Sequence, residues 1–90
     1  MLKLYRFWWD CGRQGHVEGV FAEDSETVEN LIGREVYFGE ILGKHSDING
    51  PLESGDLTVL CEDKDFIQKA IEYKLVPIGY NPLDYIEIKD

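Results

Sequence analysis

The chain has 90 residues, enough for one domain, and a domain this short buries only about 60–65% of the surface its unfolded chain exposes. Its 18 acidic residues against 9 basic ones give a net charge of -9, which disfavours direct binding to nucleic acid or to an anionic membrane, since phosphate would be repelled. No apolar run is long enough to span a bilayer, and Arg6 arrives before a signal-peptide core develops, so the expectation is a cytoplasmic protein with Cys11 and Cys61 reduced.

Residues 2–9 are rich in leucine and aromatic side chains, end in Phe7-Trp8-Trp9, and predict a strand with bulky residues on both faces. The glycines of 10–15 predict a tight connection, and residues 16–22 predict a second strand that completes a hairpin. A helix is expected over 25–32: Asp24 or Ser25 can cap its free amides, Val28, Leu31 and Ile32 form an i, i+3, i+4 stripe, and Gly33 ends it. Residues 35–42 predict a third strand. The glycine- and proline-bearing segment 43–56 reads as the longest loop, and 57–61 as a fourth strand. A second helix is predicted over 63–74, with Phe66, Ile67, Ala70 and Ile71 on one side and lysines late, where they suit the helix dipole. The alternation of 84–89 predicts a closing strand.

Val20–Ile32 aligns without gaps to Val59–Ile71, and in both stretches a strand ends in Glu-Asp ahead of an amphipathic helix. The fold class expected is therefore α+β: a small, mostly antiparallel sheet with two helices on one side. Its order is β-β-α-β-β-α-β, with two β-β-α units as a pseudo-repeat.

Trp8 and Trp9 are neighbours on a strand and so point to opposite faces. Two short helices cover about one face of a five-stranded sheet, which leaves one indole for a partner, and tryptophan is a typical interface anchor. The acids at the two helix starts, Glu23 and Asp24 in one and Glu62 and Asp63 in the other, serve capping and the helix dipole. Gathered at one edge they would also form a double acidic patch able to imitate a phosphate backbone. These features favour a non-catalytic module that binds a basic protein surface. An inhibitor of a nucleic-acid-binding or nuclease partner, of the anti-defence kind carried by phages and other mobile elements, would fit.

An alternative is a binder of a small anionic ligand such as a nucleotide, through Arg13, Lys44, His45 and Ser46, with a homodimer closing the site. The segment Gly39–Ser46 departs from a phosphate loop: three residues separate its glycines, His45 stands between Lys44 and Ser46, and no helix follows. Cys11, His16, His45 and Cys61 are zinc-type ligands without zinc-type spacing, so no metal or other cofactor is expected. Cys11 with His16 or His45, and Glu40 with Asp47, supply reactive types without a recognisable constellation, and no enzyme is expected.

Overall fold

The computed structural model describes residues 1–43 and 47–86. Strand β1 (Leu2–Asp10) and strand β2 (His16–Asp24) form an antiparallel hairpin in register along their whole length, from Leu2 opposite Asp24 to Asp10 opposite His16. A 3-10 turn at Gly12–Gln14 joins them, closed by the Cys11 amide donating to the Gly15 carbonyl at 2.8 Å. The glycines there adopt left-handed φ values of 65° and 110°, which side chains resist.

The hairpin is apolar on both faces. On one face Tyr5, Phe7, Val17 and Phe21 are buried, with Trp9 packed beside them. On the other, Leu4 is buried against Val20, Ala22 and Cys61. Consecutive positions Leu4 and Tyr5 are thus both shielded, so each side of the sheet needs its own cover.

Helix α1 (Ser25–Leu31) covers the first face through Val28. Strand β3 (Glu35–Gly39) and strand β4 (Ile48–Pro51) pair antiparallel as a separate two-stranded sheet, adding Val36, Phe38, Ile48 and the following Leu52 to the same core. Phe38 is its aromatic hub, with ring centroids 4.7 Å from Tyr85, 5.5 Å from Trp9 and 5.9 Å from Phe7.

Strand β5 (Leu57–Cys61) returns to the free side of β1, antiparallel, with a bulge where Leu4 faces Cys61 but Tyr5 faces Val59. Helix α2 (Lys64–Glu72) then lies on the second face, burying Ile67 and Ala70 with Leu4 and Val76. Strand β6 (Ile78–Gly79) pairs with β2, giving the order β5-β1-β2-β6. A 3-10 turn at Pro82–Tyr85 leads to Ile86, which bridges to Val36.

The α+β class follows expectation and the element order does so roughly, with one strand more between the helices, and every described pairing is antiparallel. Several details differ, beginning with the sheet, which is divided into a four-stranded and a two-stranded one rather than a single five-stranded one, and with β6, where no strand was expected. The helices lie on opposite faces, because both faces of the hairpin are apolar. The predicted loop 43–56 contains β4, which Gly50 and Pro51 disguise. Strand β3 stops at Gly39, whose φ of 76° breaks the register, so Ile41 and Leu42 pack on the core from a turn. Asp84 and Tyr85 stand in a 3-10 turn rather than a strand, because Asn81 caps the Leu83 amide at 3.0 Å and Pro82 opens the turn. The rest of that predicted strand, 87–89, lies outside the described residues.

The aligned halves agree at their strand-to-helix junctions. Asp24 accepts from the Glu26 and Thr27 amides, and Asp63 from those of Asp65 and Phe66. They differ in pairing: β2 follows its hairpin partner β1, whereas β5 pairs with β1 and leaves β3 to β4.

Candidate functional site

β2 and β5 flank β1 and both run antiparallel to it, so they end at the same end of the sheet. Both helices therefore start there, and Glu23, Asp24, Glu62 and Asp63 gather around the first residues of β1. Asp24 takes the N-terminal ammonium at 2.7 Å, and this bond together with the helix amides holds its carboxyl below the usual carboxylate range. Lys3 reaches Glu62 at 3.1 Å; that hydrogen bond, and the charges of Glu62 and Glu29, raise its ammonium above the ordinary lysine value. Two cations are thus set among these carboxylates, with Glu26, Glu29 and Asp65 beside them on the helices. Tyr5, beneath this end, is pushed up chiefly by burial.

The tryptophans separate as alternation requires. Trp9 turns into the core, against Phe7 and Phe38. Trp8 lies on the α2 face, beyond the reach of that helix, and is 41% exposed. Its indole stacks on the His16 ring at 5.7 Å. Beside it Arg6 meets Glu18 at 3.4 Å, and Glu18 also lies 3.5 Å from His16. Exposed Ile78 and Gly79 border a neighbouring depression of about 240 Å³ lined by Arg6, Glu18, Gly19 and Val20. A connection over 10–15, as read from the sequence, sets Trp8 opposite Val17; the observed one is a residue shorter and sets it opposite Glu18, which is why the sequence reading missed His16 and Glu18.

The acidic end and the Trp8 strip occupy opposite ends of β1, about 20 Å apart at roughly 3.3 Å per residue. The geometry unites the four predicted acids with one another and separates them from both indoles.

Of the anion-binding candidates, Arg13 is exposed on the 3-10 turn after β1. Lys44, His45 and Ser46 lie outside the described residues. A cleft of about 370 Å³ beside that turn runs from Trp9, Cys11 and Gln14 to β4, and Asp10, Asp47, Glu53 and Asp56 line it. Those four carboxylates disfavour an anion and suit a cationic group.

Cys11 packs against the core on the Trp9 side, its thiol pushed up by burial and by Asp10, whereas His16 faces the other way with Trp8. Cys11 and Cys61 are free thiols near opposite ends of β1, much too far apart to bridge. Among the described residues no three metal-ligating side chains converge, and no helix is long and apolar enough to cross a membrane. No protein-family model, curated protein or solved structure matches the chain.

Proposed function

We propose that this chain is a non-catalytic, acidic protein-binding module acting in the cytoplasm on a partner with a basic surface. The observation that carries this reading is the convergence of both strand-to-helix turns at one end of the sheet. Charge clustered on a rigid end is a stronger lure for a basic surface than the same charge dispersed, because the fields of neighbouring carboxylates add. The capping hydrogen bonds fix Asp24 and Asp63 in place, which reduces the ordering cost of binding. The half-exposed Trp8 supplies an apolar anchor at the end of the sheet face that α2 leaves uncovered. A protein whose own ligand is nucleic acid presents the complementary groove, so inhibition by charge imitation, as against a defence nuclease, is the form of the function favoured.

The test is capture from lysate on the immobilised chain, beside Trp8→Ala and the double variant Glu23→Gln, Glu62→Gln. The reading expects a stoichiometric basic partner, released by roughly 0.5 M salt and weakened by about tenfold or more in the double variant. A partner that is retained equally by all three proteins in high salt, or no stoichiometric partner, would refute it.

A further inference from the structure

Strand β5 forms one border of the four-stranded sheet, and among the described residues no strand lies outside it. Its residues Leu57-Thr58-Val59-Leu60-Cys61 include no charge and no proline, two of the usual means of blunting an edge. Val59 and Leu60 are 45% and 48% exposed. The bulge at Leu60 disturbs one position near the strand's end, and Leu57 to Val59 stay in regular register with β1. The opposite border, β6, is two residues long and offers little to pair with.

The charges lie at the two ends of β5. Asp56 precedes it, with its carboxylate accepting from the Glu53 amide at 2.9 Å. Glu62 and Asp63 follow, and Asp63 is held by helix amides at 3.0 and 3.3 Å. A second copy pairing antiparallel about Val59 would set Asp56 opposite Glu62 at both ends. Like charges directly opposite are destabilising, and two chains of charge -9 repel at longer range as well. A basic strand meets the reverse situation. Because acids stand at both ends, cations flanking an uncharged centre find carboxylates whichever way the strand runs.

We propose that the β5 edge takes up an extended segment of a basic partner protein by strand addition, a segment of about five apolar or β-branched residues between Lys or Arg. Main-chain hydrogen bonds supply the pairing and the flanking charges supply the selection. The inference rests on the protein-binding reading above and specifies the edge and the chemistry of its occupant.

The full chain, labelled with nitrogen-15, would be titrated with a pool of peptides of about nine residues carrying two Lys or Arg at each end and Val, Ile, Leu or Thr between. Saturable shifts at the amides of Leu57–Cys61, with exchange slowed about tenfold, are expected. Methylating alternate peptide nitrogens should lower affinity about tenfold for one set and little for the other, because only one edge of the peptide faces β5. No saturable shift up to about 1 mM, shifts confined to Trp8 and His16, or indifference to both methylation sets would overturn the proposal. So would a dimer in sedimentation with β5 already protected. A partner captured through Glu23 and Glu62 while β5 stays silent would remove strand addition and leave the acidic-end reading intact.

Discussion

Asp24 and Asp63 do the same local work, accepting amides at a helix start, and their surroundings decide how each responds to change. Asp63→Ala removes a cap from α2 and should cost about 1 kcal/mol, read as a lower urea midpoint with unchanged slope. Asp24 answers to pH. Its carboxyl is held low in the folded chain, first by the hydrogen bond to the N-terminal ammonium, so the ionised form favours folding. That stabilisation is present above the ordinary carboxylate value of 3.8 and is lost as pH falls through the depressed one. Stability of the parent chain should therefore fall more steeply below about pH 4 than that of Asp24→Asn in parallel denaturation series. Gly19 illustrates a steric requirement. A Cβ there would collide with the backbone of Tyr80, 2.6 Å from its nitrogen and 2.7 Å from its carbonyl carbon. Gly19→Ala should cost about 1–3 kcal/mol in urea denaturation, with the largest amide shifts in β6.

Helix α2 shows how an element divides its apolar residues between core and surface. Ile67 is fully buried on the sheet, while Ile71 and Phe66, in the same predicted stripe, are 47% and 52% exposed. Ile67→Ala should cost about 2–5 kcal/mol, and Ile71→Ala no more than about 0.5. Equal losses would mean that something covers Ile71 in solution. The two helices, their aspartate caps and the first hairpin were legible because each depends on residues close in sequence. The faces the helices occupy were not, because that depends on β5 returning to β1 across most of the chain. Strand β4 was hidden for a related reason: Ile48-Asn49-Gly50-Pro51 has loop composition, and its pairing with β3 and the burial of Ile48 and Leu52 make it a strand. The opposed indoles followed directly from alternation. That the four acids would meet at one end could be posed from the aligned halves, but only the pairing of β2 and β5 on either side of β1 answers it.

At the scale of the molecule, net charge opposes compaction while apolar cover on both sheet faces favours it. Screening should therefore stabilise the chain: raising salt from about 0.02 to 0.5 M is expected to lift the melting temperature by roughly 4–8 °C, equivalent to about 1 kcal/mol, in calorimetry. A fall would show that attractive pairs such as Lys3–Glu62 outweigh the repulsion. The position of β1 has a further consequence, for the order of assembly. Its second neighbour is β5, separated from it in sequence by β2, α1, β3 and β4, so until β5 and α2 arrive the hairpin keeps a bare margin and an apolar face that α1 does not cover. The sheet is therefore completed only through a long loop closure, which slows folding relative to a chain whose contacts are all local.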